Sequence, residues 1–204
     1  MLENFFDSID QDVLLEMIKR KIKNKDAFLL LEKIIKSFSK GLPLGNVTSQ
    51  LFANIYLNEL DQFAKHILRE KYYLRYCDDF IFLSENRKHL EEIVALVDNF
   101  LEDRLKLILH PNKIIIRKYR QGVDFLGYVA FPHHRIFRAK TRKRVLRKIK
   151  ENRDNFQKKI ISEKTFNGSL QSYLGILRHC NGYNIKKDIE KIIHHDATHI
   201  CDRQ

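Results

Sequence analysis

Three cysteines, Cys77, Cys180 and Cys201, are all that the 204 residues contain. They are too few and too scattered for a disulfide framework, which implies a reduced, cytosolic setting. No apolar run is long enough to span a bilayer, and the first residues lack the basic, apolar, small-residue order of a secretory signal. Internal repeats and low-complexity tracts are absent too. What is present is a hydrophobic fraction of 44%, sufficient for the core of one large domain or of a domain with an appendage. Acidic residues become scarce late in the chain. Residues 132–204 carry 18 Lys and Arg against seven Asp and Glu, a surplus of 11 within a net charge of +12. Such asymmetry points to a polyanion met mainly by the last third. A solvated basic surface kept for solubility is the other reading.

The chain divides accordingly. Ser8 with Gln11 has the spacing of a capping box opening a helix to about residue 22, and a second helix is expected over about 26–38. Gly41-Leu42-Pro43-Leu44-Gly45-Asn46 breaks the pattern as a loop. From Thr48 to about Arg69, Phe52, Ile55, Leu60, Phe63 and Ile67 recur near helical spacing. Residues 72–76 and 80–83 are short apolar runs around Cys77-Asp78-Asp79, a tight β-hairpin pattern. An amphipathic helix through Leu90, Ile93, Val94, Val97, Phe100 and Leu101 follows, then expected strands over 105–109, 114–116 and 123–131. After Pro132 one helix should carry an apolar face of Val145, Ile149, Phe156 and Ile160, with two more over about 169–180 and 185–199. The expected class is α+β: an antiparallel sheet with helices on one face over residues 1–131, then a basic all-helical appendage over 132–204.

Two adjacent aspartates at a hairpin tip need a physical reason. Like charges this close raise each other's pKa, so a fold keeps them where something offsets the repulsion. Mg²⁺ does so with oxygen ligands, commonly one or two carboxylates plus substrate phosphates. A pair of such ions about 3.5–4 Å apart can clamp both oxygens of an in-line displacement, but needs a further carboxylate. The plainer reading of Asp78-Asp79 is a turn, where Asp is common.

Four motifs together favour the metal. Tyr76-Cys77-Asp78-Asp79 resembles the Y-x-D-D motif of reverse transcriptases. Gly41-Leu42-Pro43-Leu44-Gly45-Asn46-Val47-Thr48-Ser49-Gln50 resembles that family's nucleotide- and template-contacting loop and helix. Leu109-His110-Pro111-Asn112-Lys113 resembles the segment whose lysine lies near the triphosphate, and Val123-Asp124-Phe125-Leu126-Gly127-Tyr128 the hairpin that grips the primer. Leu44 to Gln50 further matches the [ILV]-G-x-x-x-S-Q variant of diversity-generating retroelements, and residues 169–175 resemble the thumb of that group.

The resemblance implies a palm over 1–131 and a thumb over 132–204, copying an RNA template from a DNA primer with dNTPs, using Mg²⁺ or Mn²⁺. It implies a cytoplasmic enzyme encoded by a bacterium or phage, with a small basic accessory protein as a further partner and no membrane. Asp78 and Asp79 would hold metal. Lys113 would stand near the developing phosphate charge, or be a strand-edge lysine. Phe6 would exclude a ribose 2′-hydroxyl, or serve as a core aromatic beside Phe5. Leu44, Gly45, Ser49 and Gln50 would line the nucleotide and template site, with Gly45 allowing close backbone approach or simply making a turn. Leu44, where most bacterial members have Gln, would lower discrimination against imperfect pairs. Gly127 with Arg142, Lys143, Arg144, Arg147 and Lys148 would hold the duplex backbone.

One family feature is not met. The family's other metal aspartate aligns with Met1, and a thioether is a poor ligand for Mg²⁺. Glu3 and Asp7 are not expected to replace it. The expectation is therefore a truncated frame, a misassigned start, or half of a split enzyme; a catalytically silent nucleic-acid-binding fragment is the alternative function. Lastly, His195 and His199 share a helix spacing near His194 and Cys201, a zinc pattern with no second pair beyond His179-Cys180; a polar helix terminus is the default.

Overall fold

The computed structural model describes residues 2–43 and 45–194. It is a mixed α+β structure with small antiparallel sheets, and its contacts divide it into two compact units, residues 1–116 and 117–204. The hairpin that starts at Val123 thus groups with the basic helices. Among the described residues, no helix is long and apolar enough to cross a membrane.

The first unit opens with a single turn, α1 (Phe5–Ser8), then α2 (Gln11–Lys21) and α3 (Lys25–Lys36). The cap of α2 is Asp10 rather than Ser8: its carboxylate accepts from the amides of Asp12 and Val13 at 2.9 and 3.0 Å. Ser8 Oγ turns back to the Glu3 carbonyl, and the Gln11 amide leaves the helix to donate to the Phe38 and Gly41 carbonyls. The expected capping box therefore does not form. Its two polar side chains fasten neighbouring segments instead.

α4 (Val47–Gln62) buries Phe52, Ala53, Tyr56, Leu57 and Leu60 along one face. Tyr56 Oη donates to the Leu105 carbonyl at 2.7 Å and accepts from the Asp10 amide, and burial pushes its pKa up to about 12. Past Gln62 the helix widens into a π turn (Phe63–Ile67), closed by Leu68 N–H donating to the Phe63 carbonyl. The extra residue rotates the helix end, so Ile67, expected on the buried face, is 71% exposed.

β1 (Tyr73–Tyr76) and β2 (Asp79–Phe82) form an antiparallel hairpin with Tyr76 opposite Asp79, leaving Cys77-Asp78 as a two-residue loop. α5 (Arg87–Leu105) packs Ile93, Val97, Leu101 and Leu105 into the same core as α2 and α4. The strand expected over 105–109 is only an isolated bridge, Leu2 with Leu109. Leu105 closes the helix; Leu107 and Leu109 are buried and Ile108 faces out, so the alternation is real but the strand has little to pair with. Residues 114–116 form no strand, and Ile115 is exposed.

The second unit is a three-stranded antiparallel sheet, β3 (Val123–Phe125), β4 (Tyr128–Ala130) and β5 (Arg135–Phe137), followed by α6 (Ala139–Gln157), α7 (Glu163–Leu177) and α8 (Tyr183–His194). Strand β5 lies in the segment expected to be all helical. Phe137, Val145, Ile149, Leu177, Ile185 and Ile189 make its core. Helical spacing puts Phe156 and Ile160 beside Val145 and Ile149, yet Phe156 stacks on Phe166 at the rim and Ile160 is exposed beyond the helix end. α7 begins earlier than expected because Ser162 caps it through the Thr165 amide.

Candidate active site and nucleic-acid surface

Asp78 and Asp79 are half-buried at the hairpin tip. Cys77, first of the two loop residues, has φ +52°, a left-handed conformation that a side chain resists. The turn is anchored from α4. On β1, Tyr73 and Arg75 share the less exposed face, and both reach Asp61: the Tyr73 hydroxyl donates at 2.8 Å, and Arg75 donates through Nε and Nη2 to both carboxylate oxygens. Arg75 Nη1 donates to the Cys77 carbonyl at 3.0 Å and to Asn54 Oδ1 at 3.3 Å. The hydrogen bond to Asp61 raises the Arg75 pKa further, and burial pushes the Tyr73 phenol up strongly. Sequence reading missed this network. Its only signal was a polar pair, Tyr73 and Arg75, at strand spacing on a face that should have been apolar.

Phe6 and the glycine loop are brought together. Leu42 N–H donates to the Phe6 carbonyl at 2.8 Å, and the Phe6 ring packs edge-on against Phe5 at the border of the core. Gly45 and Gln50 are exposed, whereas Ser49 is 1% exposed with its hydroxyl unpaired. Lys113 ends an exposed 3₁₀ turn (Pro111–Lys113) rather than a strand. Leu44 and Met1 lie outside the described residues, as do His195, His199, Cys201 and the His194 side chain.

The donor set suits one hard cation better than two. Adjacent carboxylates plus phosphate oxygens are an ordinary Mg²⁺ environment. Among the described residues, however, no three His, Cys, Asp or Glu side chains converge, so neither Glu3 nor Asp7 completes a cluster with the hairpin pair.

In the second unit the basic residues in and beside α6 differ in whether an acid already faces them. Arg142 pairs with Asp188 at 2.6 Å, Lys148 with Glu151 at 2.9 Å, and Arg138 with Asp124 at 2.8 Å. Lys140, Lys143, Arg144 and Arg147 follow i, i+3, i+4, i+7 spacing and line a recess of about 620 Å³ with Leu126, Gly127, Arg138 and Thr141. Only Arg147 of these four has an acidic neighbour within 4 Å among the described residues, Glu151 at 3.5 Å. Arg138, Lys140 and Thr141 also line this recess, beyond the residues singled out in the sequence, although the helical spacing carried the signal for Lys140.

The hairpin is thus tipped by paired aspartates, and the helix that anchors its turn, α4, directly follows the glycine loop. The chain belongs to the reverse transcriptase (RNA-dependent DNA polymerase) family, whose model matches residues 2–130. It is similar to Protein YkfC of Escherichia coli (strain K12), 28% identical over 183 residues, covering 69% of this chain and 46% of the relative. It is also similar to the group II intron-encoded protein LtrA of Lactococcus lactis subsp. cremoris, 26% identical over 199 residues, covering 62% and 33%. A putative COX1/OXI3 intron 2 protein of Saccharomyces cerevisiae is 23% identical over 193 residues, covering 62% and 23%. The chain spans less than half the length of these curated relatives.

Proposed function

We propose that this chain supplies the catalytic hairpin and duplex-holding surface for RNA-templated DNA synthesis. The observation that carries the reading is Asp78-Asp79 at the tip of a hairpin whose turn is tied to α4, in a chain of this family. Residues 1–131 act as palm and 132–204 as thumb. A divalent cation, Mg²⁺ or Mn²⁺, held by Asp78 and Asp79 with the nucleotide's phosphates would neutralise charge at the reacting phosphorus. The primer 3′-hydroxyl gives its proton to solvent water, and its oxygen forms the new bond to the α-phosphorus of a dNTP as the bond to pyrophosphate breaks. Lys113 stands as the cation, and candidate proton donor, for the departing pyrophosphate. Phe6 faces the sugar, while Leu44, Gly45, Ser49 and Gln50 shape the nucleotide and template side. A two-metal transfer needs one more carboxylate, for which the resemblance points to the Met1 position.

Gly127 and the Lys140–Arg147 stripe hold the template–primer backbone; Arg142 and Lys148 contribute mainly through the overall field. The Leu44 to Gln50 motif supports a low-fidelity enzyme of the diversity-generating kind, working with a small basic accessory protein. Misincorporation opposite template adenine that is unchanged in Leu44→Gln would remove that support. A second reading, a catalytically silent fragment that grips nucleic acid, is favoured by the two-carboxylate donor set. Primer extension with Mg²⁺, run on this chain and on Asp78→Asn, separates the two. Extension abolished by Asp78→Asn supports the enzyme; duplex binding without extension supports the fragment.

A further inference from the structure

We infer that Arg75, held by Asp61, is a positioning residue that fixes the Cys77–Asp78 peptide and so aims the Asp78 carboxylate. This rests on the reading of Asp78 as a metal ligand. A side-chain-bearing residue at φ +52° is strained and persists only where its surroundings over-determine it. The hairpin supplies backbone pairing on either side, Tyr76 with Asp79, but that pairing ends short of the Cys77 carbonyl. Arg75 holds this carbonyl, from two residues away.

The carbonyl matters because it belongs to the peptide plane that joins Cys77 to Asp78. Rotating that plane changes ψ of Cys77 and φ of Asp78 together, and with them the direction of the Asp78 side chain. A guanidinium suits the task. Two of its nitrogens face the Asp61 carboxylate, which leaves Nη1 fixed in orientation for the turn. Asn54 takes the remaining direction of Nη1. With the Arg75 side chain 10% exposed and Asp61 30%, the pair is largely removed from water. Burying an ion pair is a poor way to gain stability, since apolar residues of similar volume do as well. An arrangement that spends a third donor on a turn carbonyl is better accounted for by orientation. Asp61 and Asn54 both lie on α4, whose first turn follows the glycine loop, so one rigid helix registers the catalytic turn against that loop.

Arg75→Lys, Asp61→Asn and the exchange Asp61→Arg/Arg75→Asp test this in the full chain, with Asp78→Asn as reference. Melting temperature reports stability, hydrogen exchange over residues 76–79 reports the turn, and Mn²⁺ titration followed by electron paramagnetic resonance reports the carboxylates. Arg75→Lys is expected to speed exchange in the turn tenfold or more and to weaken Mn²⁺ at least fivefold. The exchanged pair should recover most of the melting temperature while both other losses remain, because a carboxylate on β1 has no donor to offer the Cys77 carbonyl. Should Arg75→Lys fail to fold, Asp61→Asn, which keeps shape and an acceptor for Tyr73, is read the same way. Wild-type exchange over 76–79 in Arg75→Lys or Asp61→Asn, or full recovery of exchange and Mn²⁺ affinity in the exchanged pair, overturns the inference. Unchanged Mn²⁺ affinity in Asp78→Asn instead sinks the metal-ligand reading, and the turn's exchange rate still decides the clamp.

Discussion

Replacing Gly41 by alanine should cost the first unit far more than replacing Gly45, although both glycines flank the same loop. Gly41 has φ +54°, and a Cβ there would stand 2.2 Å from the Phe6 carbonyl oxygen and 2.7 Å from Asp7 Cα. Both are backbone atoms, so no side chain can swing aside. The left-handed conformation alone costs about 1–2 kcal/mol for a residue with a Cβ. Relieving the clash requires the loop to lift, which breaks the Leu42 to Phe6 bond at 2.8 Å and the Gln11 bond to Gly41 at 3.0 Å, each worth about 1 kcal/mol. The sum is about 3–4 kcal/mol. Gly45 has φ +98° with nothing within 4 Å, leaving only the conformational cost of about 1–2 kcal/mol. Hydrogen exchange at the buried Leu14 and Ile18 amides reads this unit's opening free energy directly. Protection should fall at least a hundredfold in Gly41→Ala and about tenfold in Gly45→Ala, at about 1.4 kcal/mol per decade. Equal losses in the two variants would refute the close-approach reasoning.

The stripe on α6 predicts unequal effects from neighbouring cations. Lys143→Ala with Arg144→Ala should lower duplex affinity and shallow the log–log salt slope by about two, roughly one for each phosphate no longer neutralised. Arg142→Ala with Lys148→Ala should leave that slope nearly unchanged, because both side chains already face acids; a larger change from this second pair would reverse the assignment. At the start of α2, Asp10 is held below the usual carboxylate range: burial pushes it up, but the hydrogen bond from Lys106 and the amides of Val13 and Asp12 outweigh it. A depressed folded pKa gives stability that is complete above the unfolded value of about 3.9 and fades as pH falls through the depressed value. Asp10→Asn, which keeps a capping oxygen, should therefore melt lower than wild type at pH 7 and converge with it in acid. A gap in melting temperature that stays constant as pH falls well below the unfolded value of about 3.9 would contradict this.

Sequence alone determined where the hairpin turns, which helices are amphipathic, and which third of the chain is basic, because each depends on local periodicity or composition. The aspartate pair and the glycine loop were legible for the same reason. Caps and strands near Ser8 and residues 105–116 were not, since several polar or alternating residues there satisfy the same pattern and only tertiary partners choose among them. The π turn after Gln62 likewise leaves no mark in spacing until the helix must meet its neighbours. Basic residues on α6 looked alike in composition; Asp188, 46 residues away, and Glu151 decided which are already paired. Most of all, the tie from Asp61 through Arg75 to Cys77 joins residues 14 apart along the chain to those two apart. Only the packing of α4 beneath the hairpin makes those three into one device, because a guanidinium can orient a turn only after its own carboxylate has been brought within reach.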